Sequence, residues 1–378
     1  MKRVLPFILA IAAAIIVPAS AFAQLTWNGY YRTGGGYYAP SSGAQAFNYA
    51  DRLRLNISYV DADNLFGAKF RLQGNGVSNP AGVANGQGYG FVNAFSSGPK
   101  YGYAFVNLFG GVVKVTSGKL DITDYEVVQQ YEYDQFLGNV YTDALQPGTA
   151  LLGAQCGTTT GAIVQVQPMA GLSVAMFDRI DGSSFNAHDL GFAAAYTVSG
   201  LGKVLFNSSI GHYAPNSGSA LAGNATADDF SKSYFSLAFS YTGVKNLTAT
   251  AGLRYDGDTM YNSSYNTATS LIAILDYNMA DLLPMTVDLA TDLDFANANS
   301  YVEGEINYTV APQLKLRPYG EYDSTSSLVK LNYAGKANKY MVGCDLVFPA
   351  GKAAEFDAGF NYGDQTNLGI PLLVKANF

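Results

Sequence analysis

The sequence predicts an all-β chain whose antiparallel strands close into a barrel within a membrane. Three observations predict this fold. The 378 residues are 48% hydrophobic but only 13% charged, against roughly 25% charged in an ordinary soluble domain. Mean hydropathy is only +0.06, and no run of about 18 apolar residues follows the N-terminal segment, which excludes a helical membrane protein. The chain is also rich in tyrosine and glycine, with 28 Tyr and 41 Gly, and its apolar residues alternate with polar ones, as in membrane barrels.

The alternation is clearest at the C-terminus. Every second residue from Leu368 to Ala376 is apolar, and Phe378 follows on the same parity; a period of two places these residues on one face of a strand. The same period recurs in segments of about ten residues, the length with which a tilted strand crosses a bilayer. A last strand that ends in phenylalanine resembles the C-terminal signal of Gram-negative outer-membrane proteins. The resemblance implies that Phe378 is an assembly signal for the barrel assembly machinery.

The N-terminus has the pattern of a cleaved secretory signal. Lys2 and Arg3 are followed by an apolar stretch, and Ala21-Phe22-Ala23 forms an A-x-A cleavage site. We therefore expect residues 1–23 to be removed and residues 24–378 to form a single barrel domain in the outer membrane of a Gram-negative-type bacterium. The formal net charge of −7 argues against nucleic acid as a partner.

The connections predict the number of strands. Eight short turns rich in Gly, Pro, Asn or Asp alternate with nine longer stretches, of which the longest is Lys119 to Thr158. Seventeen connections predict eighteen strands, with both termini at the end of the barrel that carries the short turns. A count of sixteen strands is the alternative, because the three smallest loops are hard to distinguish from turns. The opening strand is predicted at Leu25 to Thr33, before a loop from Gly34 to Ala46.

No motif predicts an enzyme, a cofactor or a metal site. His188 and Asp189 are adjacent, and neighbours on a strand point to opposite faces. Gly86 to Gly90 is glycine-rich but lacks the strand and helix of a phosphate-binding loop. Asp61 to Asn64 weakly resembles a set of calcium ligands and is better explained as a turn. Cys156 and Cys344 are far apart in sequence, and Cys344 shares the parity of lipid-facing neighbours, so a disulfide is the less favoured alternative.

One segment carries a more specific resemblance. Ala104 to Lys119, with the sequence AFVNLFGGVVKVTSGK, resembles the fourth and fifth strands of general bacterial porins. The resemblance implies that the third long loop, which follows the fifth strand, folds into the barrel and narrows the pore. It also implies a homotrimer. The acidic loop motif familiar in that family is not clearly present here.

Charge patterning adds a candidate site to that fold. The candidate residues form three sets: one lies on the third long loop, and two lie on the predicted inward faces of strands. The third long loop supplies acids that would constrict the pore: Asp121, Asp124, Glu126, Glu132, Asp134 and Asp143. A basic wall is predicted on the opening and closing strands: Arg32, Arg52, Arg54, Lys69, Arg71 and Lys375. An acidic lumen wall is predicted after Met285: Asp288, Asp292, Glu303, Glu305, Glu321, Asp323, Asp345, Glu355 and Asp357.

An acidic loop facing a basic wall predicts a transverse field across the constriction. The simpler alternative is that these charges only face water in a wet lumen. The sequence therefore predicts an outer-membrane diffusion channel for small hydrophilic solutes and ions that prefers cations, with membrane lipid as its surroundings. Two alternatives remain: a saccharide-specific channel that uses loop tyrosines, and a structural or adhesive barrel with a closed lumen.

Overall fold

The computed structural model describes residues 24–40, 46–78, 99, 101–120, 159–180, 188–210, 234–256, 268–296, 298–324, 339–364 and 366–378. Eighteen strands lie in these ranges, together with a single turn of 3-10 helix, Phe109–Gly111. The strands are β1 Leu25–Pro40, β2 Ala46–Val60, β3 Phe66–Ser78, β4 Tyr101–Leu108, β5 Val113–Leu120, β6 Thr159–Met169, β7 Leu172–Ile180, β8 His188–Val198, β9 Gly202–Ile210, β10 Tyr234–Tyr241, β11 Leu247–Asp256, β12 Ala268–Asn278, β13 Met285–Asp294, β14 Asn299–Ala311, β15 Leu314–Asp323, β16 Tyr340–Ala350, β17 Ala354–Gly363 and β18 Thr366–Asn377.

Each strand pairs antiparallel with its sequence neighbours, and β1 pairs with both β2 and β18. The sheet is therefore a closed barrel, which confirms the predicted fold and the higher of the two strand counts. Among the described strands, closure leaves none without a partner on each side, as a barrel in hydrocarbon requires. No helix within the described ranges is long and apolar enough to cross a membrane.

The first strand is longer than the sequence indicated. Three consecutive glycines, Gly34 to Gly36, resemble a turn signal, and the loop was expected to begin there. Instead they pair with β18 on one side and with β2 on the other, and β1 continues to Pro40. Pairing on both edges satisfies the backbone groups of a segment with little strand propensity of its own.

The two faces of the wall differ in chemistry. On β13, Leu289 is 47% exposed, whereas Ala290 and Asp292 on the other parity are each 3% exposed. The exposed parity carries large apolar side chains around the barrel, such as Leu237, Leu253 and Phe360, and this is the face that lipid would cover. Cys344 shares this outward face with Val342 and Leu346, while Cys156 lies outside the described residues.

Aromatic pairs mark both ends of the same two strands. Phe348 and Phe356 lie near the short-turn end of β16 and β17, with ring centroids 6.0 Å apart. Tyr340 and Tyr362 lie near the other end, with centroids 6.3 Å apart. Aromatic residues at both ends of an outward apolar band are typical of the two membrane interfaces of such barrels.

The closing strand ends in a well-defined contact. The backbone N–H of Phe378 donates to the carbonyl oxygen of Gly29 at 3.0 Å, and the N–H of Gly29 donates back at 2.9 Å. A Cβ at Gly29 would lie 2.9 Å from the Phe378 ring and 2.1 Å from the carbonyl oxygen of Arg54. Gly29 therefore lets the last residue pack against the first strand, where its ring lies 6.1 Å from that of Trp27.

Candidate functional site

The inward face of the barrel divides into three sectors along the ring of strands. We name them the basic arc, on β18, β1, β2 and β3; the apolar arc, on β4 to β13; and the acidic arc, on β13 to β17. Directly paired residues of antiparallel neighbours share a face, so the pairing register assigns each side chain to its sector.

The basic arc consists of the six residues predicted for the basic wall: Arg32, Arg52, Arg54, Lys69, Arg71 and Lys375. Arg32 lies directly opposite Lys375 on one side and directly opposite Arg52 on the other. Three cations thus stand in one cross-strand row, an arrangement that repulsion disfavours. The sequence predicted these residues to share a face but could not predict that β18 would place Lys375 in the same row.

Aromatic and amide groups surround these cations. The charged groups of Arg32, Arg54 and Lys375 lie 5.6, 5.2 and 5.8 Å from the centroid of the Tyr30 ring. Such cation–π contacts offset part of the repulsion between like charges. Arg71 lies over the ring of Tyr101 at 4.6 Å. Sequence reasoning missed Tyr30, although its parity with Arg32 would have placed it on the same face.

Amide side chains fix two of the guanidinium groups. Arg54 donates from Nε to Gln73 at 2.9 Å, and Arg71 donates from Nε to Asn56 at 2.7 Å. Asn56 in turn donates to Asn28 at 2.8 Å. The basic arc is therefore an ordered polar network of charges held in fixed positions.

The acidic arc carries eight of the nine carboxylates predicted for the lumen wall: Asp288, Asp292, Glu303, Glu305, Glu321, Asp345, Glu355 and Asp357. Asp323 pairs with Tyr301 on the same face, but its side chain is outside the described part of the chain. Six of the eight are buried, with exposed fractions between 2% for Asp345 and 6% for Glu321. Burial of so many carboxylates requires compensating charges or hydrogen bonds.

Arg317 supplies part of that compensation. Its Nε lies 3.7 Å from Oε1 of Glu305, and its Nη1 lies 3.4 Å from Oδ2 of Asp357. Nε also donates to Asn307 at 3.1 Å, and Asp345 is its direct cross-strand neighbour on β16. One guanidinium thus lies among three buried carboxylates, so the cluster keeps a surplus of negative charge.

The basic and acidic arcs meet at the pairing of β17 with β18. Nζ of Lys375 lies 3.8 Å from Oε1 of Glu355, and both side chains are about one-third exposed. Opposite charges are therefore adjacent at this point and spread in opposite directions around the wall. At the level of Lys375 and Glu355, the electrostatic potential inside the barrel therefore changes from one side of the wall to the other.

The apolar arc is the feature that sequence reasoning missed. Thirteen buried inward residues form one cluster: Tyr101, Tyr103, Phe105, Leu120, Ile163, Ala175, Ala193, Ala195, Leu205, Ala238, Ile272, Ile274 and Ala290. Ala193 is 1% exposed and Ile272 is 0% exposed. Small apolar residues on the face opposite to the lipid-facing residues were a signal that could have predicted this sector. Polar side chains share this face: Thr116, Gln165 and Thr250 are buried among the cluster residues, and Nζ of Lys114 lies 4.5 Å from the centroid of the Phe105 ring. The sector is therefore set apart by its burial and its small number of charges.

The predicted acids of the third long loop lie outside the described residues. The strands that flank this loop are described: β5 ends at Leu120 and β6 begins at Thr159, and Leu120 belongs to the apolar arc. The described ranges contain no group of three or more His, Cys, Asp or Glu side chains arranged to hold a metal ion.

Comparison with known proteins points to one type of fold. No protein-family model matches the chain, and no curated protein matches its sequence. Among solved structures, it is similar to a triple mutant of the porin of Rhodopseudomonas blastica, with 16% identity, a TM-score of 0.52, and coverage of 94% of this chain and 100% of that one. A second mutant of the same porin aligns over the same shares of both chains with 16% identity and a TM-score of 0.51.

The closed antiparallel wall, its apolar outer face and its charged inner sectors define a transmembrane β-barrel. Within that class, the chain has the porin-type fold, with similarity to the porin of Rhodopseudomonas blastica along nearly its whole length.

Proposed function

We propose that this protein is an outer-membrane channel for passive diffusion of small hydrophilic solutes and ions. The observation that carries the proposal is the inner wall, where a basic arc and an acidic arc adjoin within a closed barrel. Charged and amide side chains at a lumen surface favour water and hydrophilic solutes. The width of the pore and the electric field inside it then determine selectivity, and the permeating solutes need no tight binding site.

We further infer that the conducting path follows the two charged arcs, not the whole circumference. The apolar arc is buried, and the segment that connects β5 to β6 starts and ends beside it. Residues 121–158 are long enough to cover it, which supports the inward-folded third loop implied by the resemblance to porins. In that position Asp121, Asp124, Glu126, Glu132, Asp134 and Asp143 would face the basic arc and add negative charge to the lumen.

We propose a preference for cations on the same basis. The basic arc is partly satisfied by the Tyr30 ring and by amides, whereas three carboxylates of the acidic arc share one guanidinium. Loop acids would increase that negative surplus. The lumen would then concentrate cations and repel anions of the same size.

Planar-bilayer recording of the protein purified from membranes tests the channel directly. We expect stepwise increases in current on insertion, in groups of three if the protein inserts as a homotrimer. A protein that is folded by circular dichroism and inserts into bilayers without conductance would contradict the proposal. That result would favour the structural or adhesive barrel instead.

The outer face of β1 to β3 supports assembly into a homotrimer. Part of this face carries small and polar residues, including Thr33, Gly35 and Gly74, whereas Trp27, Phe66 and Phe70 on the same face are large and exposed. Asp51 lies directly opposite Thr33, is 2% exposed and accepts a hydrogen bond from the Tyr31 hydroxyl at 3.2 Å. A carboxylate on the outward face at membrane depth is disfavoured in contact with lipid. We propose that copies of the chain meet at this sector.

Substitution of Gly74→Trp should weaken that assembly. The indole would project from a flat sector and keep the copies apart, so the trimeric fraction should fall while the barrel still forms. Chemical cross-linking in detergent measures this fraction. The matched control is Leu237→Trp, which places the same side chain on the lipid-facing surface of β10, where Leu237 is 55% exposed. Equal trimeric fractions in both variants would exclude this sector as the interface.

A further inference from the structure

Tyr30 stands at the centre of the basic arc. Arg54 lies directly opposite it on β2, and Arg32 follows two residues later on β1, so both side chains leave the wall on the same face as the tyrosine. Lys375 reaches this place from β18, where it lies directly opposite Arg32. Cations on three adjacent strands therefore approach one aromatic ring from three directions.

The three charged groups lie at similar distances from that ring. The distance to the ring centroid is 5.2 Å for Arg54, 5.6 Å for Arg32 and 5.8 Å for Lys375. Each distance is within the roughly 6 Å over which the face of an aromatic ring attracts a cation. Tyr30 is half-buried, so water screens this attraction only in part. Like charges on neighbouring strands repel, and the ring holds these three together against that repulsion.

Other contacts of two of these cations show how the ring divides them between the arcs. Nζ of Lys375 lies 3.8 Å from Oε1 of Glu355, a carboxylate of the acidic arc. Nε of Arg54 donates to Gln73 on β3 at 2.9 Å. Lys375 is thus shared between an aromatic ring on one side and a carboxylate on the other. If the ring were lost, repulsion from Arg32 would move the ammonium group towards Glu355.

We propose that Tyr30 is a positioning residue that sets the charge selectivity of the lumen. Its ring keeps the three cations together at the wall, and it keeps Lys375 from neutralising Glu355 more completely. Without the ring, Glu355 would contribute less negative charge to the lumen, and Arg32 and Arg54 would spread further into it. Both changes weaken the attraction of the lumen for cations. The inference rests on the proposed channel function and names a residue that tunes it.

The reversal potential of single channels in a potassium chloride gradient tests this role. Tyr30→Leu removes the aromatic face without changing any charge. We expect the ratio of potassium to chloride permeability to fall by about twofold or more, since a cation–π contact at a partly exposed site shifts a population by about that factor. Tyr30→Phe keeps the aromatic face and should retain the ratio of the unmodified protein.

Tyr308→Leu is the matched control. Tyr308 pairs with Met285 and Leu316 on the outward face and is 38% exposed, so the same substitution there leaves the lumen charges in place. Its reversal potential should equal that of the unmodified protein. If Tyr30→Leu and Tyr308→Leu gave the same reversal potential, Tyr30 would have no role in selectivity. An unmodified protein that inserts without conducting would instead reject the channel itself.

A double-mutant cycle tests the contact without current. Urea unfolding in detergent is compared for the unmodified protein, Tyr30→Leu, Lys375→Met and the double variant, each of them verified as folded by circular dichroism. Loss of the ring should lower the urea midpoint less when Lys375 is already absent, because the ring then has one cation fewer to hold. Additive shifts would show that the ring does not act through this cation, and they would overturn the proposal even in a protein that conducts.

Discussion

Replacement of Arg317 by methionine should lower the free energy of unfolding by about 3–5 kcal/mol, the range seen when one partner of a buried ion pair is removed. Methionine keeps most of the side-chain volume but leaves Glu305, Asp345 and Asp357 buried without their shared cation. Urea unfolding of the protein in detergent or liposomes measures the change.

The matched control for Arg317 is Lys315→Met, two residues earlier on the same face of β15. Lys315 is partly exposed, and loss of an exposed charge changes stability by about 1 kcal/mol or less. If Arg317→Met and Lys315→Met had equal effects, the guanidinium would not be the charge that holds the three carboxylates. A combined variant that also neutralises Glu305, Asp345 and Asp357 should recover most of the stability, since removal of a whole buried cluster is often nearly neutral.

A charge placed in the apolar arc should have an effect of similar size. Ala193 is 1% exposed on the inward face of β8, opposite Ala175 on one side. Ala193→Asp would bury an unpaired carboxylate, and we expect it to lower the free energy of unfolding by about 3–5 kcal/mol or to prevent folding. A water-lined wall would accept the same residue at little cost, so this substitution separates a covered wall from a wet one.

Two controls isolate the charge from its surroundings. Ala193→Val adds a similar volume without charge and should cost about 1–3 kcal/mol through overpacking alone. Thr197→Asp places the same carboxylate four residues further along the same inward face, where the residue is exposed, and should be tolerated. If Ala193→Asp were as stable as Thr197→Asp, the conducting path could not be confined to the charged arcs.

The wall of this barrel was largely predictable because a period of two is a strong signal when one face contacts lipid. The segments after Met285 show this best: Asp288 and Asp292 alternate with Val287 and Leu289, and a register slip of one residue would have reversed both faces. The glycines at Gly34 to Gly36 mark the limit of this reasoning. Their strand structure comes from pairing with β2 and β18, which is a tertiary effect that local propensity does not contain.

The candidate site was less predictable than the fold. Parity assigned Arg32 and Lys375 to one face, but their direct juxtaposition depends on how the last strand meets the first. Arg317 shares the parity of Glu321 on β15, yet its contacts with Glu305 and Asp357 depend on side-chain packing across several strands. The apolar arc was missed because only charged residues were placed on the inward face; the parity of Ala193 and Ala195, opposite to that of Phe192, was a usable signal, and their burial shows the sector that they form.

The reversal potential of single channels in a potassium chloride gradient tests the central claim most directly. If the path follows an acidic arc with surplus negative charge, the potential should have the sign that indicates potassium passing more readily than chloride. Charge reversal at the basic arc, as in Arg54→Glu, should increase that preference. A potential that indicates chloride preference, or a folded and inserted barrel that passes no current, would contradict the assignment of this inner wall as a cation-preferring pore.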